Sequence, residues 1–149
     1  MTRPLQFSVT PATWPREAAA LRAVRTAVFI HEQGVPPDME WDDLDEHCVH
    51  VLARDADGRA IGTGRLLPDC KIGRMAVLRS ARGQGVGAAI LRALLAMARE
   101  RGDTEIELSA QTHALGFYEK FGFVACGDEY QDVGIPHRSM RLRLSEDER

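Results

Sequence analysis

The chain of 149 residues has only three cysteines, Cys48, Cys70 and Cys126, widely spaced and without a C-x-x-C pair. An odd number in that arrangement argues against a disulfide frame and fits reduced thiols in a cytoplasmic protein. No apolar run approaches the length of a membrane span, and residues 1–9 have no apolar core long enough for a signal peptide. Charge of either sign is scarcely in excess: the formal net charge is −3, which gives no general affinity for nucleic acid or an anionic membrane. The acidic stretch from Asp38 to Glu46 lacks the glycine and the terminal glutamate of an EF-hand, and no metal is expected. Repeats, linkers and low-complexity segments are missing too. What is left is one soluble domain over residues 1–149, 44% apolar and large enough to close its own core.

Against that even background, basic residues gather around one stretch. Residues 72–91 read as a strand, a glycine-rich turn and the start of a long helix. Gly83, Gly85 and Gly87 recur at every second position, where a missing side chain lets the backbone approach a ligand or take a positive φ. The N–H groups of such a turn, with the unpaired ones of the helix's first turn, converge and attract an anion. Arg79 and Arg82 could add full positive charge. A P-loop needs Lys then Ser or Thr after its last glycine, whereas Gly87 is followed by Ala88 and Ala89. A dinucleotide fingerprint needs G-x-G-x-x-G and an acidic residue ending a strand about 20 positions on; here the spacing is G-x-G-x-G, and Asp103 and Glu105 enter a strand.

The rest of the chain reads as alternating strands and two main helices. Leu5, Phe7 and Val9 alternate in a first strand. Thr13 and Pro15 mark a helix start, with Leu21, Val24 and Val28 along one face to about Phe29. Pro36 and Pro37 break into an acidic loop of Asp38, Glu40, Asp42, Asp43, Asp45 and Glu46. That loop is either solvated or a substrate rim whose carboxylates attract a cationic amine. Val49, Val51 and Ala53 form a second strand with His50 and Leu52 on its other face, and residues 55–58 a hairpin turn. Ile61, Thr63, Arg65 and Leu67 make a third strand and residues 71–77 a fourth. The helix of residues 85–101 carries Val86, Ile90, Leu94 and Met97 on one face, widened by Leu91 and Leu95, with Gly102 as its cap. Ile106, Leu108 and Ala110 make a fifth strand, parallel to the fourth through a right-handed crossover. A short helix follows over 114–121, stopped by Gly122. Val124 and Cys126 belong to a sixth strand, Met140, Leu142 and Leu144 to a seventh, and residues 145–149 read as a frayed tail.

Arg82-x-x-Gly85-x-Gly87 resembles the R/Q-x-x-G-x-G/A motif of the GCN5-related N-acetyltransferases (GNAT). Ala114-x-x-Phe117-Tyr118-x-x-x-Gly122-Phe123 resembles that family's A-x-x-F-Y-x-x-x-G-F segment, at the expected distance downstream. A narrower likeness, to the ElaA/YjcF branch, rests on three further stretches. They are Arg25-x-x-Val28-Phe29-x-x-Glu32-Gln33-x-x-Pro36, the acidic stretch ending in His47 or His50, and Gly134-Ile135-Pro136-His137-x-x-Met140. The resemblance implies an α+β fold: a central mixed, mostly antiparallel sheet of about seven strands, with strands four and five parallel but splayed, flanked by about four helices. It implies acetyl-CoA as co-substrate, its pantetheine lying in the gap like an added strand against Met75, Ala76 and Val77. The N–H groups of Gly83, Gln84, Gly85, Val86, Gly87 and Ala88 would hold the pyrophosphate, with Arg82 at the motif's first position. Ala114, Phe117 and Tyr118 would belong to the same site, and Arg79 would either reach a CoA phosphate or stay solvated.

The reaction implied is direct transfer of an acetyl group from the thioester to a primary amine of a small molecule. A backbone N–H near Val77 could polarise the thioester carbonyl. Tyr118 matches the family's general acid, and a phenol, only slightly less acidic than a thiol, suits protonation of a leaving thiolate; the alternative is a tyrosine that only packs. The strand-four glutamate that serves many relatives as base is missing, Gly73 and Arg74 standing there. Glu32, His50, His113 and His137 remain as candidate bases, with a water chain or an already neutral amine as other routes. The branch likeness would carry Glu32, His50, Arg74, Gln111 and His137 into the acceptor cleft. A homodimer would suit the family, although no segment specifies one. The rival readings are a non-catalytic acyl-CoA binder and a binder of other nucleotide phosphates.

Overall fold

Seven strands join edge to edge in the order β1-β2-β3-β4-β5-β7-β6 in the computed structural model, which describes residues 4–144. The tail read at residues 145–149 lies outside the described residues, as do residues 1–3 of the N-terminal stretch. The strands are β1 (Phe7–Ala12), β2 (Val49–Asp55), β3 (Ala60–Leu66), β4 (Lys71–Val77), β5 (Glu105–Gln111), β6 (Val124–Asp132) and β7 (Ile135–Arg143). All neighbours are antiparallel except β4 and β5. This is the expected mixed α+β architecture.

Period-2 alternation divides the core between the two faces of the sheet. Val51 and Ala53 of β2 pack in the cluster built around α3 (Val86–Arg101), with Val86, Ile90, Leu91 and Leu94. Leu52, pointing the other way, packs on Leu21 of α1 (Trp14–Arg25). The two long helices therefore cover opposite faces. Alpha-helix α3 comes so close to β3 that a Cβ on Gly64 would lie 2.8 Å from Leu94 Cδ1 and 2.9 Å from Ile90 Cγ2. It ends at Gly102, whose φ of 91° gives the left-handed cap that the sequence calls for. Among the described residues no helix is long and apolar enough to cross a membrane.

Three local expectations are corrected. The first helix does not run evenly to Phe29: α-helical bonding ends at Arg25 and a π-helical stretch, Thr26–Glu32, carries the chain to the site. Beta-strands β6 and β7 are longer than the apolar pattern suggests, because Gly127 sits in an irregularity within the ladder and does not end the strand. The acidic stretch is a solvated loop only in part: Asp38, Asp43 and Glu46 are exposed and Asp42 is half-buried. It folds as α2 (Pro37–Glu40) and a 3-10 turn (Asp45–His47), with Glu40 and Asp45 buried.

What buries those carboxylates is arginine. Arg25 of α1, 1% exposed, bonds Glu40 at 2.9 Å and Asp45 at 2.7 Å. Arg65 of β3 bonds Asp42 at 2.8 Å and Asp45 at 2.9 Å. Arg74 of β4 pairs with Glu40 at 3.1 Å and Asp42 at 3.5 Å. Hydrogen bonding from Arg65 holds the Asp42 carboxyl down to about 2. Burial pushes the Glu40 carboxyl up, against the pull of Arg74 and Arg25. Three arginines match the three inner carboxylates, so the network anchors the 37–47 segment to the sheet, while Asp38, Asp43 and Glu46 stay exposed.

Candidate active site

Beta-strands β4 and β5 pair only at Lys71–Glu107 and Ile72–Leu108. Beyond these pairs β4 stays bonded to β3 as far as Val77, and β5 stays bonded to β7 as far as Gln111. The facing edges of β4 and β5 are thus left open in a wedge, and an extended ligand could bond to them as an inserted strand. The wedge opens into a cleft of about 1370 Å³ that Met75, Ala76 and Val77 line.

A β-bulge lies at the mouth of the wedge. Arg65 pairs with Gly73 while Thr63 pairs with Ala76, so Gly64 alone faces both Arg74 and Met75. Arg74 takes the strain of the bulge with a φ of 50°, a left-handed conformation rare for a residue with a Cβ. Its guanidinium is thereby directed at Glu40 and Asp42, and it remains 29% exposed in the cleft.

The far end of the cleft is the glycine turn. Gly83 and Gly85 take φ of 74° and 87°, and Gly85 is the residue before the first turn of α3. Gly87 already lies within the helix; a Cβ there would meet the Phe117 ring at 3.6 Å, an ordinary contact. Two of the three glycines are therefore needed for backbone conformation, and at the third a methyl group would fit. Val86, Gly87 and Ala88 line the cleft at the start of a 16-residue helix, where N–H groups lack intrahelical partners and the dipole favours an anion. Gln84 is turned away: its Oε1 accepts from the Leu5 N–H at 3.2 Å.

Arg82 donates from Nε to the Val77 carbonyl at 2.9 Å and from both Nη atoms to the Glu32 carboxylate at 2.6 Å. Arg79 adds a bond to the same carboxylate at 3.3 Å. Hydrogen bonding from Arg82 holds the Glu32 carboxyl at about 2. Glu32 therefore stands at the phosphate end of the cleft, ion-paired and poorly suited to take a proton.

Tyr118 sits on α4 (Leu115–Glu119), its ring edge-on to Phe117 and Phe123. Its hydroxyl reaches across to β4, donating weakly to Met75 Sδ at 3.8 Å. Burial pushes its phenol up to about 12, so the proton is retained. Ala114 and Phe117 line the same wall.

The remaining sequence candidates separate into two groups. Gln111, His113 and His137 line the cleft. Gln111 bonds Gln33 of the π-helical segment, Nε2 to Oε1 at 2.9 Å, and accepts from the exposed His113 ring at 2.6 Å. His137 lies opposite Gln111 on β7. His50, expected in the acceptor cleft, is not brought there: it is buried under α1, stacked on Trp14, with Nε2–H donating to the Asp45 carbonyl at 2.7 Å. Burial pushes its pKa down, keeping the ring neutral. Sequence reasoning passed over Ser109 and Tyr130, which line the cleft together with Gln33 and Glu40. Gln33 and Glu40 stood in quoted stretches, but their partners are distant in sequence.

Among the described residues no group of three or more His, Cys, Asp or Glu side chains is placed to hold a metal.

A family model described as an acetyltransferase (GNAT) domain matches residues 16–144. The uncharacterized N-acetyltransferase YjcF of Bacillus subtilis (strain 168) is 40% identical over 121 residues, 78% of this chain and 86% of that protein. An acyl-CoA N-acyltransferase from Pseudomonas aeruginosa has a similar crystal structure, with a TM-score of 0.79 and 36% identity over 91% of this chain and 99% of that one. The crystal structure of Escherichia coli ElaA matches with a TM-score of 0.80 and 28% identity, again over 91% and 99%.

Proposed function

Because the chain belongs to the GNAT family of N-acetyltransferases, we propose that it transfers an acetyl group directly from acetyl-CoA to a primary amine of a small molecule. The observation that carries this reading is the wedge between β4 and β5, a strand-shaped slot that ends at the glycine turn and the N-terminus of α3. An elongated acyl-pantetheine with an anionic tail has the complementary shape and charge. The thioester supplies an activated acyl group; the chain's own residues supply position and protons.

Backbone groups of Met75, Ala76 and Val77 take the inserted strand, and a β4 N–H near Val77 is the donor for a carbonyl oxygen that gains charge during attack. Val86, Gly87 and Ala88 hold the phosphates with their N–H groups, aided by Arg82. Tyr118, protonated and directed at β4, gives its proton to the departing sulfur. The acceptor enters between the π-helical segment and β7, past Gln33, Gln111 and His137. Carboxylates already matched by arginines do not draw it in. The odd count and wide spacing of the three cysteines support a reducing, cytoplasmic setting.

The test is release of free thiol from acetyl-CoA in the presence of primary amines, comparing the native chain with Tyr118→Phe. Acetyl-CoA affinity should be kept while turnover falls by roughly ten- to ten-thousand-fold. An unaltered rate would return Tyr118 to a packing role. Tight acetyl-CoA binding with no transfer to any amine would favour a non-catalytic acyl-CoA binder instead.

A further inference from the structure

The missing strand-four glutamate leaves the amine without an obvious proton acceptor, and the geometry separates the candidates. Glu32 is clamped by Arg82 and Arg79 at the phosphate end. His50 lies outside the cleft, under α1. His113 is exposed, and its ring is held only by a side chain, Gln111, to which its Nε2–H donates. His137 differs from all three. It lines the cleft, is 8% exposed, and its Nδ1–H donates to the Ile135 carbonyl at 2.7 Å. A ring whose Nδ1 carries the hydrogen has, in its neutral form, a bare lone pair on Nε2. No described residue donates to that nitrogen.

The ring is also held in place. Tyr130 of β6 stacks on it, with centroids 6.0 Å apart and planes 22° from parallel, and the Tyr130 hydroxyl is itself hydrogen-bonded to Ser109 Oγ of β5. Orientation by a carbonyl on one nitrogen, with the other left free, is how a histidine is prepared to accept a proton.

Topology adds a second argument. Ile106, Leu108 and Ala110 of β5 pack toward α3, the side on which Tyr118 packs. Gln111 points to the opposite face by alternation, and His137, its cross-strand partner, shares that face. The two faces communicate through the open wedge. An acid on one side and a base on the other divide the two proton transfers that the reaction needs.

We infer that His137 Nε2 is the general base that receives the proton from the acceptor amine, an assignment that rests on the acetyl-transfer reading above. The N–C bond forms as the C–S bond breaks. One proton passes from the amine nitrogen to His137 Nε2, and one from the Tyr118 hydroxyl to sulfur. The resulting imidazolium and phenolate are reset by proton exchange through solvent, so that amine and thioester give amide and thiol with no net change in the protein. The titratable groups of the packed elements that line the cleft with His137 are Tyr130 and Asp132 of β6, Glu107 of β5 and His113 beyond Gln111; Glu105 of β5 and Asp128 and Glu129 of β6 do not line it. The neighbouring Arg138 is turned away, donating to the Gly127 carbonyl.

His137→Asn keeps an N–H donor for the Ile135 carbonyl but removes the Nε2 lone pair. Using a panel of spermidine, glucosamine, an alkylamine and an amino-acid ester, kcat/KM at neutral pH should fall by about 10²–10⁴ with acetyl-CoA affinity unchanged. The loss should shrink at alkaline pH, where hydroxide takes the nitrogen proton that Nε2 otherwise accepts. An active native chain whose pH–rate profile is the same in His137→Asn would overturn the base assignment and leave the transfer reading standing. A native chain that binds acetyl-CoA but acetylates none of these amines would overturn both. Independently of turnover, 15N spectra of labelled protein should show Nδ1 protonated and Nε2 bare in the neutral form of this ring. The opposite tautomer would contradict the proposal.

Discussion

Glu32 has an unusual position for a residue in a site meant for an anion. Its carboxylate accepts bonds from both Nη atoms of Arg82 and from Arg79, so one of the two positive side-chain charges nearest the glycine turn is already matched. A CoA phosphate must either displace the carboxylate from Arg82 or settle beside it, and in both cases the negative charge opposes binding. Glu32→Gln should therefore tighten acetyl-CoA binding by about three- to tenfold at low salt, with the gain shrinking as salt is added. Titration calorimetry at two ionic strengths reads this directly. Weaker binding in the variant would mean that Glu32 acts chiefly to hold Arg82 in position. Arg82 would keep one tether in either case, its bond to the Val77 carbonyl.

At the scale of elements, β3 and β4 determine where the wedge opens. Gly64 is required twice over: α3 approaches too closely for a side chain, and the bulge at Arg74 forms opposite it. Gly64→Val would push into Ile90 and Leu94, which are fully buried, and overpacking of that kind costs about 1–3 kcal/mol. Urea unfolding should show the loss. Gly116→Ala is the matched control, because a Cβ there meets nothing within 4 Å; its midpoint should stay level or rise slightly. Equal destabilisation by both changes would contradict the packing argument. The π-helical stretch ending at Glu32 plays the same positioning role on the other wall, since it carries Gln33 to within 2.9 Å of Gln111.

At the scale of the whole molecule, most of the architecture was legible in the sequence because it rests on local periodicity. The spacing of Val86, Ile90 and Leu94, and the alternation in β2 and β5, need no partner to be recognised. The glycine turn was legible for the same reason, since a positive φ at Gly83 and Gly85 is a property of single residues. What escaped depends on residues far apart in the chain. Glu40 and Asp45 belong in a loop by composition, yet Arg25 and Arg65, 15 and 20 positions away, make them interior groups. The bulge at Arg74 exists only in the pairing with β3. The tautomer of His137 escaped for a different reason: the Ile135 carbonyl that sets it is two residues back on the same strand, a contact that residue patterns do not show. His50 was placed in the cleft by likeness to a branch of the family, whereas the alternation of β2 puts it under α1 with Leu52.

The central claim, that the wedge and the glycine turn bind an acyl-CoA, is tested most directly by thermal unfolding with acetyl-CoA, free CoA, ATP and NAD. A ligand that binds only the folded chain stabilises it by about 2.7 kcal/mol at a hundredfold excess over its Kd. Acetyl-CoA and CoA should raise the midpoint, ATP and NAD should not, and Gly85→Glu, compared with itself with and without ligand, should lose the rise. A shift with ATP or NAD alone, or an undiminished acetyl-CoA shift in Gly85→Glu, would contradict the account.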